Sequence, residues 1–311
     1  MRRMYKSLLA PAALLLLAVS PLSQGQDDQP RFLSLTPPEG LPIIPLMEGW
    51  VANEDGTTTI SFGFINRNTD EDVDIPLGEN NYIEPAEFDG MQPTHFPSGR
   101  STGVFTVTLP EDQSDIDVWW NLQTGESEVL RVPGRRGASA YELDFIRPRP
   151  QGSLQPLAAF GDTELSAGLT ANISDYGSSV AVGETVELVL NASDPADRDP
   201  EDPRFGEPLD MNVEFSKHQG PGNVTFERDP NAPEPENPFD PDDPRFEFFT
   251  GPQPNRAIVE GGAGSAMVMA TFSAPGDYII RAAVDVHTAP DSSYGDQCCW
   301  TNVYQRVTVT E

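Results

Sequence analysis

Carboxylates dominate the chemistry that this sequence offers. Asp and Glu total 49 against 19 Lys and Arg, for a formal charge of −30. Two segments concentrate them in a repeated motif: Asp199-Pro200-Glu201-Asp202-Pro203-Arg204-Phe205 and Asp240-Pro241-Asp242-Asp243-Pro244-Arg245-Phe246. Proline disfavours helix at the residue before it, so each Asp-Pro step holds its carboxylate on an extended or turning loop. Oxygen-rich loops suit Ca2+, which takes about 6–8 oxygen ligands. Asp194, Asp197 and Asp199, at the end of an expected strand, are the candidate calcium ligands. Neither the EF-hand spacing nor a glycine-rich nonapeptide repeat is present. The alternative is a pair of solvated loops whose Phe205 and Phe246 pack back onto the body.

Cys298 and Cys299 are the only cysteines, and they are adjacent. Neighbouring Cα atoms lie about 3.8 Å apart, less than the usual ~4.4–6.8 Å across a disulfide. A vicinal bridge is therefore feasible but tight, and a structural bridge is the reading favoured over a redox one, since no Cys-x-x-Cys frame exists. A reduced, buried pair is the alternative. His95, His218 and His287 are the only histidines and form no ligand-spaced pair. Among the aromatics, Trp119 and Trp120 are neighbours on an expected strand, so alternation sends them to opposite faces. Trp120 shares the Val118 face and belongs to a core. Trp119 shares the face of Asp117 and Asn121, and with His95 in a polar loop it is the candidate ligand contact, suited to a sugar ring.

Catalytic signatures are missing. No Gly-x-Ser-x-Gly elbow occurs, and no cysteine has a protease-like setting. Gly261-Gly262-Ala263-Gly264 precedes a strand and carries no lysine, so it is not a phosphate loop. With so many carboxylates, no single pair can be chosen for glycoside hydrolysis. No catalytic residue is assigned. The negative charge also excludes nucleic acid and anionic membranes as partners.

The elements that must position these residues are strands. Ile60, Phe62 and Phe64 alternate with Ser61, Gly63 and Ile65, and Phe105, Val107 and Leu109 repeat the pattern. Ile116, Val118, Trp120 and Leu122 form a further face, and Tyr141, Leu143 and Phe145 are expected to close a first β domain over 49–146. A Pro-rich stretch, 147–156, reads as a linker. A second domain, 157–311, holds alternating runs at Val186-Leu188-Leu190, Val213-Phe215, Val224-Phe226, Ala266-Val268-Ala270-Phe272, Tyr278-Ile280-Ala282-Val284-Val286 and Val307-Val309. The expected class is all-β: two antiparallel, immunoglobulin-like β-sandwich domains after a signal peptide.

The signal is the most specific feature. Arg2, Arg3 and Lys6 precede an apolar run over 8–19, and Ser23 and Gly25 suit cleavage before Gln26. Residues 1–25 are the expected signal peptide and 26–48 an N-terminal extension. The alternative is an uncleaved signal anchor in the envelope; no later stretch is apolar enough to span a bilayer. Three Asn-x-Ser/Thr sequons, at Asn172, Asn191 and Asn223, bear on a host that glycosylates its secreted proteins.

The segment Val182-Gly183-Glu184-Thr185-Val186-Glu187-Leu188, followed by Ser193-Asp194-Pro195, resembles the opening of a PKD-type immunoglobulin-like domain. The run Ala270-Thr271-Phe272-Ser273-Ala274-Pro275-Gly276-Asp277-Tyr278, with Val284-Asp285, is similar to that family's final hairpin. The resemblance covers about 180–311, and the family's Trp-Asp-Phe-Gly-Asp-Gly centre is absent, so the domain is PKD-like. It implies an extracellular spacer or binding module. The expected function is a secreted, periplasmic or extracellular, non-enzymatic binding or structural module, stabilised by calcium. Its expected partner is carbohydrate or another envelope protein. The alternatives are a hydrolase acting on extracellular polysaccharide, its accessory carbohydrate-binding protein, or a signal-anchored envelope protein.

Overall fold

A computed structural model of the chain describes residues 40–69, 71–137, 139–143, 149–196, 198–199, 201–202, 208–233, 237, 239–248, 251, 253–289, 291–292 and 299–311. The expected signal peptide and its cleavage site, Asp197, Phe205 and Cys298 lie outside these residues. Residues 38–311 form one contact unit. Among the described residues, strands are joined by loops and single 3-10 turns, and the all-β, immunoglobulin-like sandwich architecture is what forms.

The first sandwich pairs two three-stranded sheets. One holds β1 (Ile44–Ala52), β2 (Thr58–Asn66) and β6 (Gly99–Leu109) in that order, all antiparallel. The other holds β4 (Asn81–Glu84), β7 (Val118–Leu122) and β8 (Leu130–Gly134). Between them β3 (Val73–Asp74) and β5 (His95–Phe96) form a two-stranded ribbon. Period-2 alternation puts Ile60, Phe62, Phe64, Phe105, Val118 and Trp120 into one core. Phe62 stacks on Phe105 at 5.1 Å, and Trp120 meets Phe105 edge-on at 5.0 Å. Such pairs add about 0.5–1.5 kcal/mol each beyond the area they bury. Gly134 lies so close to Phe62 that a Cβ there would come within 2.3 Å of the ring. The buried Trp120 indole donates to Asn81 Oδ1 at 3.0 Å, and Asn81 Nδ2 donates to the Ile75 and Pro93 carbonyls. Every polar group of that pair is satisfied, as burial requires.

In the first sandwich β1, β3, β4, β5 and β8 went unread in the sequence, and two of them show why. β1 lies largely inside the expected extension, so the body starts by Ile43, which is fully buried. β8 ends Val132-Pro133-Gly134, a composition that argues against a strand. Conversely, among the described residues 139–143 the expected closing strand is reduced to a turn and one bridge. Ser139–Tyr141 is a 3-10 turn with Tyr141 exposed, and Glu142 forms an isolated parallel bridge with Trp50 of β1, including the bond from Leu143 N–H to Trp50 O. Phe145 lies outside the described residues.

The second sandwich packs a four-stranded sheet on a larger one. The first contains β14 (Val224–Arg228), β16 (Ala263–Phe272), β12 (Thr185–Ser193) and β9 (Leu157–Phe160). The second runs β10 (Asn172–Asp175), β18 (Trp300–Thr310), β17 (Gly276–Asp285), β13 (Met211–Gln219) and β15 (Arg256–Val259), with β11 (Val180–Ala181) also on β18. The edge segments change sheets: β9 pairs antiparallel with β12, while β10 and β11 run parallel to β18. One face of every long strand fills the core, with Leu188, Leu190, Val268, Phe272, Phe215, Ile280 and Val303 all buried.

The opposite face of the larger sheet carries the first sandwich. Asn302 Nδ2 donates to Gly103 O at 2.8 Å, and the Tyr304 hydroxyl donates to Val104 O at 2.9 Å. His218 Nε2 donates to Met91 O at 2.7 Å, and Gln219 Nε2 to the Gly90 and Gln92 carbonyls. Lys217 Nζ reaches Asp74 at 3.0 Å. Gly103, at φ +58°, accepts the Trp300 ring at a distance that leaves no room for a side chain. The Pro-rich segment is anchored as well: Asp291 accepts from Gln151 N–H at 2.8 Å and from the Ser153 hydroxyl at 2.5 Å.

Candidate binding groove between the sandwiches

The outward positions of β17 are Ile279, Arg281, Ala283 and Asp285, since Tyr278, Ile280, Ala282 and Val284 face the core. The first sandwich covers only part of this face. Beside it a groove of about 200 Å³ remains, floored by β13, β15, β17 and β18 and walled by the start of β6. Three arginines line it, Arg100, Arg256 and Arg281, together with two carboxylates, Glu214 and Asp285, and the Trp300 ring. Pockets for drug-sized ligands run to about 300–1,000 Å³, so this groove takes a headgroup or a single residue of a longer molecule.

The arginines are not equivalent. Arg256 pairs with Glu214 at 2.7 Å, both half exposed. Arg100 pairs with Glu48 at 2.8 Å. Glu48 sits at an irregularity of β1, between Met47 and Gly49, and its Oε1 is buried over Gly63. Burial raises its pKa against the lowering field and hydrogen bond of Arg100. Among the described residues it is the one carboxylate raised in this way.

Arg281 has no such partner. It is 9% exposed, and its enclosed Nε and Nη1 atoms meet no hydrogen-bond acceptor. Its cross-strand neighbours are Ser216 on β13 and Tyr304 on β18, both neutral. Asp285, four residues along the same strand, is roughly 13 Å away by strand rise. Asp285 is itself engaged by Asn212 Nδ2 at 3.1 Å and the His287 N–H at 3.1 Å. Two further buried groups on the groove wall are unpaired, Trp300 Nε1 and Asn302 Oδ1.

Arg281 acts on its buried neighbours as a positive charge. His218 is pushed down to about 3, first by burial and further by the guanidinium, against its bond to Met91 O. It is therefore neutral and packs on Tyr304 at 5.1 Å. Burial raises the Tyr304 hydroxyl while Arg281 pulls it down.

The residues singled out in the sequence sit elsewhere. Asp194 is buried and ion-paired with Arg198, while its Oδ1 accepts the Ala196 N–H at 3.1 Å. Asp199 Oδ1 caps the Glu201 N–H at 2.9 Å in a local turn. No group of three or more metal-ligating side chains occurs among the described residues. Trp119 is half-buried, with the Arg131 guanidinium 4.1 Å from its ring centroid. His95 is held by Asp74 at 2.8 Å and Asp72 at 3.7 Å. Among the described residues no hydrogen-bond, ion-pair or ring partner is common to Trp119 and His95. Cys299 is fully buried and disulfide-bonded. Arg281 was legible only as an outward arginine in a strong strand, with nothing to show that its neighbours would be neutral.

The fold and groove define an immunoglobulin-like β-sandwich protein. No family model and no curated protein matches the chain. Among solved structures, it is similar to the D00-D0 domain of Intimin over 86% of this chain and 100% of that one, at TM-score 0.24 and 11% identity. A membrane anchored protein from Corynebacterium diphtheriae aligns over 88% of this chain and 60% of that one, at TM-score 0.20 and 9% identity. Similarity at this level carries no statement about function.

Proposed function

We propose that this chain is a non-enzymatic binding module that acts outside the cytoplasm, in the envelope or the extracellular space. One observation carries the reading: among the described residues both sandwich cores are filled by side chains, and a charged groove of about 200 Å³ lies where the sandwiches meet. Sandwiches of this kind act through surfaces rather than through enclosed cavities. The disulfide at Cys299 belongs to an oxidising compartment, and the leader-like N-terminus supplies a route to one. The acidic surface keeps such a protein soluble and repels nucleic acid and anionic membranes.

The groove carries ion pairs, not a pair of carboxylates poised as acid and base. Glu48, the raised carboxylate, is paired with Arg100. The test is to incubate the full chain with a panel of acidic and neutral polysaccharides, following reducing ends and binding in parallel. Binding without turnover is the expected result. Sustained release of reducing ends, abolished by Glu48→Gln, would replace the reading with a hydrolase.

A further inference from the structure

We propose that Arg281 anchors a subsite for an oxyanion, a carboxylate or sulfate group, at the floor of the groove between the sandwiches. The proposal rests on reading the chain as a binding module and names the ligand chemistry of that surface.

Three observations converge. First, the guanidinium is nine-tenths buried, and two of its nitrogens have no acceptor. A buried cation is normally paired, because an uncompensated one loses its hydration without return. Second, the residues in position to neutralise it are occupied: Glu214 by Arg256, and Asp285 by Asn212 and the His287 amide. Third, its groove brings further donors. Arg100 and Arg256 stand on the rim, and the Trp300 ring lines the groove at the level of Asp285. The planar guanidinium offers a fork of donors that matches carboxylate and sulfate oxygens. The setting is a chain of charge −30, where a site with three arginines against two carboxylates runs against composition. At physiological salt the Debye length is about 8 Å, so the acidic surface beyond the groove is largely screened from a bound anion.

The size of the groove selects the mode of binding. At about 200 Å³ it admits one charged ring or headgroup, with the rest of the molecule in solvent. An acidic sugar residue at the end or side of a polysaccharide fits, as does a free inorganic anion. The shared chemistry is the oxyanion.

Calorimetric titration of the full chain separates these sources, with inorganic sulfate and trigalacturonate as probes at fixed ionic strength. The expected result is a saturable site for at least one probe, with stoichiometry one. Arg281→Met, which keeps the length of the buried stem, weakens binding about 10- to 100-fold, the scale of a charge-assisted bidentate contact. Arg281→Lys retains part of the affinity. Binding of trigalacturonate but not sulfate assigns the subsite to an acidic sugar; sulfate alone assigns it to a free anion. Equal affinity in wild type and Arg281→Met overturns the proposal, as does absence of binding by both probes. If Arg281→Met does not fold, a side-chain Nε–H resonance that moves on titration of wild type and is missing from Arg281→Lys decides the same question. Hydrolysis of trigalacturonate would defeat the non-enzymatic reading while leaving the anion site standing.

Discussion

His218 gives the junction between the sandwiches a pH signature. It is fully buried, donates Nε2–H to Met91 O at 2.7 Å, and faces Tyr304 and the Arg281 guanidinium. Its folded pKa is depressed from 6.5 to about 3, so the unfolded chain binds the extra proton throughout that window. Stability is then fully present above pH 6.5 and is lost as pH falls, at about 1.4 kcal/mol per unit. At pH 4.5 the accumulated loss is on the order of 2–3 kcal/mol. Burial works to raise Asp74 and Asp291, but their hydrogen-bond partners together lower both, so their contributions fade only below the ordinary carboxylate value of 3.8. Glu48 is raised and acts in the opposite sense, but it is common to wild type and variant. His218→Gln keeps a donor for Met91 O and removes the titration. Urea unfolding followed by tryptophan fluorescence at pH 7.5, 6.5, 5.5 and 4.5 measures the difference. The wild-type curve should fall relative to the variant by roughly 2 kcal/mol between pH 6.5 and 4.5, or about 1 M in midpoint at a urea slope near 2–3 kcal/mol/M. Parallel curves would show that His218 is not buried neutral, and with it that the junction is not closed.

Other expectations concern packing and anchoring. Gly103→Val drives a side chain to about 2.1 Å from the Trp300 ring at positive φ, and should cost about 2–4 kcal/mol by thermal or urea unfolding. Trp120→Phe leaves Asn81 Oδ1 without its donor inside the first core, for about 1–3 kcal/mol, with Asn81→Ala costing a similar amount. Asp194→Asn removes the carboxylate that pairs with Arg198 and should cost about 1.5–3 kcal/mol, whereas Asp199→Asn should change stability by less than about 0.5 kcal/mol. Because Asp194 is engaged by Arg198, millimolar calcium or EDTA should move the melting temperature by less than about 1 °C; a rise of several degrees with calcium would establish a site.

The sequence made the second sandwich legible and the groove illegible, for different reasons. β17 is read correctly because Tyr278, Ile280, Ala282 and Val284 repeat with the strand's period of two, and both sheets bury that face. β8 escaped because Pro133 and Gly134 lower strand propensity, while the structure needs Gly134 to make room for Phe62. β1 escaped because the irregularity at Glu48 breaks its alternation. Trp119 does point away from Trp120, as alternation requires, but an arginine on the neighbouring strand covers it. The isolation of Arg281 depends on which residues face it from β13 and β18, and on Glu214 and Asp285 already having partners. Those are facts of register between distant segments, and period and composition do not encode them.

The most direct measurement is a crystal structure of the full chain grown with trigalacturonate, and with sulfate in a second crystal. An oxyanion with oxygens about 2.7–3.2 Å from the Arg281 guanidinium, between β6 and the β17 face, is the predicted result. A structure with both probes present in which Arg281 instead turns onto Glu214 or Asp285, leaving the groove floor without an anion, would contradict it.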